Sequence, residues 1–177
     1  GISSSNWPGY SNWSSILRNV IANNSRYGIR SFSSNYSIKY NDIMGNNHGI
    51  IMLSNDNIII SNNLSHNIWG VDVSNYSNNF IYHNNFVDNT VQGNAYNNNF
   101  WDNGYPSGGN YCSDYAGDDR YSGVDQDVLG RDGIGDSNYT VKNEFVDNYP
   151  LMYPTYLIDD NESTSFVNPI TPYWSMD

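Results

Sequence analysis

Basic residues are scarce in this chain: seven Lys and Arg stand against 18 Asp and Glu over 177 residues, for a net charge of −11. Phosphate binding needs a basic surface, so nucleic acid is excluded as a partner. Long hydrophobic runs are missing as well. No apolar stretch reaches the roughly 18 residues that a spanning helix needs, so no membrane span lies in the sequence. Cysteine occurs once, at Cys112, which rules out an internal disulfide. The opening residues, Gly1 to Asn6, lack the basic and apolar regions of a signal peptide and read as a mature or truncated N-terminus. Good helix formers are also thin, because 31 Asn and 23 Ser make up almost a third of the chain. Both side chains compete with a helix for backbone hydrogen bonds, and a helical bundle is thereby excluded. Disorder is excluded by the opposite feature, an aromatic content of 16 Tyr, 5 Trp and 6 Phe.

What is present repeats. A string of the form apolar-x-x-Asn-x-apolar occurs at Ile16/Asn19/Ile21, Ile38/Asn41/Ile43, Ile59/Asn62/Leu64, Ile81/Asn84/Phe86 and Phe100/Asn103/Tyr105, at spacings of 22, 21, 22 and 19 residues. A second string, Tyr27-Gly28-Ile29, His48-Gly49-Ile50 and Trp69-Gly70-Val71, keeps a spacing of 21. Helical-hairpin repeats need a longer period, and leucine-rich repeats need regular Leu, so the period fits one coil of a parallel β-helix. A β-sandwich has no reason to hold two motifs at one period. In a column of about five coils, stacked Ile residues form a dry core. Asn at one phase bonds the Asn above and below, and the candidate ladder is Asn19, Asn41, Asn62, Asn84 and Asn103.

Charge divides the chain. Residues 1–100 balance four acids against four bases, whereas residues 101–177 hold the remaining fourteen acids and three bases. The reading is three segments: coils over 1–103, an acidic Asp/Gly/Tyr-rich cap over 104–156, and an extended tail over 157–177. A stacked column leaves open ends that aggregate unless covered. Trp101, Tyr105, Tyr111, Tyr115, Tyr121 and Tyr139 are the aromatics expected to bury the C-terminal end, and Trp7 and Trp13 offer cover for the other. Within the cap, Asp125, Asp127, Asp132 and Asp136 fall inside twelve residues among glycines, with Asp114, Asp118 and Asp119 just before them. Hard divalent cations take six to eight oxygens, so calcium is the expected ion, although the spacing is not that of an EF-hand. The alternative is a solvated loop of ordinary Asx-turns.

Asn-x-Ser/Thr sequons begin at Asn12, Asn23, Asn35, Asn63, Asn75, Asn138 and Asn161. With the acidic surface they point to a glycosylated protein outside the cell. Cys112 is expected either as a buried small residue or as an intermolecular link. Catalysis finds no constellation. Asp56, Asp72 and Asp88 scatter round the column, and Arg18 and Lys39 sit near the ladder edge without a carboxylate partner in the repeat. A glycosidase needs two facing carboxylates and a lyase a base with a cationic partner.

The coils, followed by Trp101-Asp102-Asn103-Gly104, "GGNYCSDYAG" (Gly108 to Gly117), "DGIGD" (Asp132 to Asp136) and "DNYPLM" (Asp147 to Met152), resemble the NosD-like parallel β-helix repeat family in the form common in archaeal cell-surface proteins. The resemblance spans roughly residues 10–152. It implies a right-handed solenoid at the cell surface or in the periplasm, with domains associated with copper or carbohydrate. Cys112 stands where that family usually carries an aromatic. Copper needs clustered His, Met or Cys. Here His48, His66 and His83 lie ten, seven and two residues after Ile38, Ile59 and Ile81, so they point from different sides of the column. Met44 and Met52 are the other candidate donors.

The expectation is therefore an all-β, right-handed parallel β-helix with an acidic cap, acting as an extracellular structural or adhesive surface protein. Its expected partners are copies of itself, other surface proteins or glycans. The rival is a carbohydrate-binding or carbohydrate-processing domain, marked by an aromatic row with a carboxylate pair on one flank.

Overall fold

The computed structural model describes residues 1–4, 14–96, 98–141 and 145–155. Every regular element among them is a strand. The chain winds as β1 (Ile2–Ser4), β2 (Ser14–Leu17) and β3 (Val20–Ala22), then β4 (Tyr27–Ser31), β5 (Tyr36–Lys39) and β6 (Asp42–Met44). It continues as β7 (His48–Met52), β8 (Ile58–Ile60) and β9 (Asn63–Ser65), then β10 (Trp69–Asp72), β11 (Phe80–Tyr82) and β12 (Asn85–Val87). β13 (Val91–Asn94) and β14 (Tyr111–Cys112) complete the column. Each strand pairs in parallel with its counterpart one coil away, giving three flanks ordered β1-β4-β7-β10-β13, β2-β5-β8-β11 and β3-β6-β9-β12-β14. This is a parallel β-solenoid of about four turns. The expected fifth turn is incomplete, because after Phe100, which still bridges Phe80, the chain leaves the column.

Register puts like on like. Ile16, Ile38, Ile59 and Ile81 stack along the second flank. Ile21, Ile43, Leu64, Phe86 and Cys112 stack along the third. Ile29, Ile50 and Val71 line the first. All of them are buried in one continuous core. Burying each such side chain stabilises the column by about 2 kcal/mol, which is why short strands with few residues each suffice.

The Gly of the second repeated string has a steric cause. A Cβ on Gly28, Gly49 or Gly70 would sit 2.6, 2.7 or 2.3 Å from the carbonyl oxygen of the next coil. Each would also press on an inward side chain of the third flank, namely Ile43, Leu64 and Phe86. The obstacle is backbone on one side and packed core on the other, so neither yields cheaply. Gly49→Ala is expected to cost about 2 kcal/mol in urea unfolding, despite the higher strand propensity of Ala.

Each bend between flanks is built from two residues. The first adopts a left-handed backbone: Arg18, Tyr40, Ser61 and His83 at one corner, Asn23, Gly45, His66 and Asp88 at the second, Asn35, Asp56 and Asn78 at the third. The residue that follows is an Asn in every case except Tyr36 after Asn35: Asn19, Asn41, Asn62 and Asn84; Asn24, Asn46, Asn67 and Asn89; Asn57 and Asn79. Ladder Asn residues thus do not themselves take the left-handed conformation. They follow it, and their side chains turn inward to replace the backbone bonds that the corner interrupts.

Candidate functional site

The polar interior of the column is its most distinctive chemical feature. At the first corner, the Nδ2 of Asn19, Asn41, Asn62 and Asn84 donates to the Oδ1 of Asn41, Asn62, Asn84 and Asn110 at 3.0, 2.9, 3.0 and 3.0 Å. Asn103, expected as the fifth rung, is outside this row. It lies in the turn where its N–H donates to Gly108 O and its Nδ2 to Ser107 Oγ. The excursion from 103 to 109 delays re-entry, and Asn110 supplies the rung.

Two further ladders went unread in the sequence. At the second corner Asn24, Asn46 and Asn67 donate in turn to Asn46, Asn67 and Asn89 at 2.8, 3.0 and 3.0 Å. At the third, Asn57 donates to Asn79 and Asn79 to Asn99 at 2.8 and 3.0 Å. The signal was available: Asn24, Asn46, Asn67 and Asn89 keep separations of 22, 21 and 22 residues.

These ladders have a direction. Each bond between carboxamides runs from a nitrogen to the oxygen of the next, more C-terminal coil, so the last rung has no carboxamide beyond it to accept from it. Carboxylates, which only accept when ionised, stand at two of the three ends. Asn110 donates through its backbone N–H to Asp147 Oδ2 at 2.6 Å and through Nδ2 to the same oxygen at 3.3 Å. Asn89 donates to Gln92 Oε1, and Gln92 to Asp114 Oδ1, each at 2.9 Å. Tyr139 also donates to Asp114 Oδ1, at 2.8 Å.

Asp147 ends β18 (Phe145–Asp147), which pairs with β17 (Tyr139–Val141) as an antiparallel hairpin. Its carboxyl is fully buried. Burial pushes its pKa up to about 7, against the N–H groups of Asn110 and Tyr149, which pull it down, while Asp102 adds to the rise. Burial also raises the Cys112 thiol well above its usual range, helped by the negative Asp147 and Asp114. Cys112 occupies the inward stack and is unpaired with any other cysteine, so of the two expected roles the buried one matches its position.

The segment after the last coil lies against the column's end. Trp101 packs on Phe86 with ring centroids 6.2 Å apart, and Tyr115 meets Tyr139 edge-on at 5.9 Å. Trp101 and Tyr139 are buried and Tyr115 packs on the core, whereas Tyr105 and Tyr121, expected to join them, stay exposed. Leu151 bridges Tyr111 in parallel, adding one more rung to the third flank. Trp7 and Trp13 lie outside the described residues.

The four carboxylates expected to gather round calcium do not converge. Asp125 and Asp127 are exposed between β15 (Tyr121–Ser122) and β16 (Val128–Leu129). Asp132 accepts from Ile134 N at 3.0 Å and from Gln126 Nε2 at 3.2 Å. Asp136 accepts from the N–H groups of Arg120 and Tyr121 at 2.9 and 3.0 Å, and Asp119 from those of Asp132 and Gly133. Main-chain N–H groups reach Asp119, Asp132 and Asp136, as in the Asx-turn alternative, and among the described residues no three carboxylates come together as a metal site. Removing divalent ions with a chelator is accordingly expected to shift the melting temperature by less than about 1 °C.

Of the sequons, Asn23, Asn75 and Asn138 are exposed and Asn35 is half-buried. Asn63 is half-buried and donates to Asp42 Oδ1 at 2.9 Å. Asn12 and Asn161 lie outside the described residues.

A family model described as periplasmic copper-binding protein (NosD) matches residues 3–117, more than half of the chain. The chain belongs to the NosD family. Among curated proteins and among solved structures nothing matches. The NosD description raises copper, and the donors present do not fit it. His48 Nε2 and His66 Nε2 each lie 3.9 Å from a separate carboxylate, Asp72 and Asp88, at different places on the column. His83 is buried, its Nε2 bonded to Ser107 O at 2.7 Å, and burial lowers its pKa. Met52 and Cys112 face the core. Among the described residues, no three of His, Cys, Asp and Glu come together as a metal site in this NosD member.

Proposed function

We propose that this NosD-family chain is a structural module of the cell envelope or exterior, a rigid column whose acidic C-terminal segment caps one end. The observation that carries this reading is the internal use of its polar side chains. The Asn residues that dominate the composition bond one another inside the column, leaving the flanks without a converging catalytic or metal-binding group among the described residues. A periplasmic family description agrees with an envelope or extracellular address. Among the described residues no helix is long and apolar enough to cross a membrane. The proposed division is coils over 1–103, cap over 104–156 and tail over 157–177, with Asn110 to Cys112 of the cap segment re-entering the column.

Lateral association with copies of itself or with other surface proteins is the proposed mode of action. Leu17, Phe80 and Phe100 are exposed on the second flank, where Phe80 and Phe100 stack at 4.7 Å. The contiguous exposed pair Phe80 and Phe100, with Leu17 three coils away on the same flank, favours a protein contact there. Asn23, Asn75 and Asn138 suit glycan attachment by their exposure, whereas Asn63 must first release Asp42. Electron microscopy of native material tests the proposal: ordered lateral arrays are expected, and dispersed single columns at all concentrations would overturn the assembly.

One observation favours the carbohydrate reading. Tyr27, His48 and Trp69 form an outward row on the first flank, with Arg30 over the Tyr27 ring and Asp72 beside His48. Sugars stack on ring faces. Here His48 and Trp69 lie nearly parallel at 6.1 Å, so the faces meet each other and the edges meet solvent. The row carries one carboxylate rather than a pair, and the structural reading is preferred.

A further inference from the structure

Asn residues carry a chemical liability that a column made of them must manage. The backbone nitrogen of the next residue attacks the side-chain Cγ, a cyclic imide forms, and ammonia leaves. The ladders suppress this in two ways. Each carboxamide is held by its neighbours, as with Asn62, whose Nδ2 donates to Ile38 O, Ile60 O and Asn84 Oδ1. The attacking nitrogen is held too. The N–H after Asn41, Asn62 and Asn84 donates to the carbonyl of the ladder Asn one coil earlier, at 2.9, 2.9 and 2.8 Å. The second ladder repeats the arrangement after Asn46, Asn67 and Asn89.

Asn103 lies outside this arrangement, its bonds made within its own turn rather than between buried coils. It is exposed, outside the ladders, and is the only Asn in the chain followed by Gly. Gly104 has no side chain and open space where a Cβ would stand, so no side chain crowds the attacking nitrogen. Its N–H donates to the Asp102 carboxylate at 3.0 Å, an acceptor for the proton that must leave. The Asn103 carboxamide nitrogen donates to the Ser107 hydroxyl at 2.9 Å, a group placed to assist departure of ammonia. We propose that Asn103–Gly104 is a built-in deamidation site that changes the charge at the column's end with age. The Gly104 N–Cγ bond forms and the Cγ–Nδ2 bond breaks. The Gly104 proton leaves with the ammonia, and solvent water opens the imide to aspartate or isoaspartate.

The product carboxylate appears beside Asp102, whose Oδ2 holds the N–H and Nδ2 of Asn148 at 3.1 and 2.8 Å. Asn148 follows the ladder-ending Asp147, so the new charge bears on the clasp between the last coil and the C-terminal segment. Incubating the folded protein in mildly alkaline buffer, followed by peptide mass spectrometry with isoaspartate detection, tests this. Conversion at residue 103 is expected while the ladder Asn residues keep their amides. Gly104→Ala is expected to slow that conversion roughly tenfold, because a Cβ shields the nitrogen and restricts the backbone. An intact Asn103 after the ladder positions have converted, or an unchanged rate in Gly104→Ala, would overturn the proposal.

Discussion

Asn62→Ala is expected to destabilise the protein by about 4 kcal/mol, because five hydrogen bonds meet at this buried carboxamide and each is worth about 1 kcal/mol net. Its Oδ1 accepts from the backbone N–H and the Nδ2 of Asn41 at 3.0 and 2.9 Å. Its Nδ2 serves three oxygens. Truncation leaves these partners inside the column, where water cannot replace the missing group without opening a coil. Thermal melting should register a fall of roughly 10 °C for a chain of this length.

Two comparisons separate the ladder's contribution from simple loss of volume. Asn19→Ala is expected to cost only about 1 kcal/mol, since Asn19 is partly exposed and its carboxamide, among the described residues, bonds to Leu17 O and Asn41 Oδ1 alone. Asn62→Asp preserves shape yet should be at least as damaging as Asn62→Ala. A carboxylate still accepts from Asn41 but turns its second oxygen toward Ile38 O, Ile60 O and Asn84 Oδ1, three acceptors with no proton between them. Equal stability of the three variants in urea unfolding would remove the ladder from the account of what holds the coils together.

How much of this was legible beforehand depended on whether a residue's role was local or positional. Ile16, Ile38, Ile59 and Ile81 stack because their spacing matches one coil, and spacing is visible in a sequence. The first ladder was visible for the same reason, with Asn19, Asn41, Asn62 and Asn84 each framed by apolar neighbours. Asn24, Asn46, Asn67 and Asn89 keep the same period, but the frame is broken at its first two members, where Arg26 and His48 stand two residues on in place of an apolar residue. Asn103 has the frame without the position. It falls 19 residues after Asn84, the true rung Asn110 falls 26 after, and neither matches the period, so only the path of the 103–109 excursion decides between them. The acidic segment was opaque for another reason. Clustered Asp among Gly serves an ion or a set of Asx-turns equally well, and the choice rests on whether main-chain N–H groups reach the carboxylates first, as they do at Asp119, Asp132 and Asp136.

Asp147 joins the ladder to the pH of the surroundings. An ordinary aspartate in an unfolded chain titrates near pH 4, and in the folded protein burial moves this group up to about 7. Between those values the native state holds a proton that the unfolded state has released, so stability must fall as pH rises through this window. The contribution is complete below about pH 4 and gone above about pH 7, with a full span on the order of 4 kcal/mol. This is opposite in sign to the usual salt-bridged aspartate, which loses stability on acidification. The structural reason is that Asp147 receives only N–H groups, from Asn110 and Tyr149, and no cation reaches its buried oxygens in the described structure. Asp147→Asn keeps an oxygen for one of these donors and turns an NH2 toward the other. It should cost about 1 kcal/mol in acid and show no slope of its own across the window. Urea unfolding at a series of pH values from 4 to 8 measures both curves. If the two proteins run parallel, the ladder's terminal carboxyl does not titrate in this range, and its burial is balanced by the N–H groups that surround it.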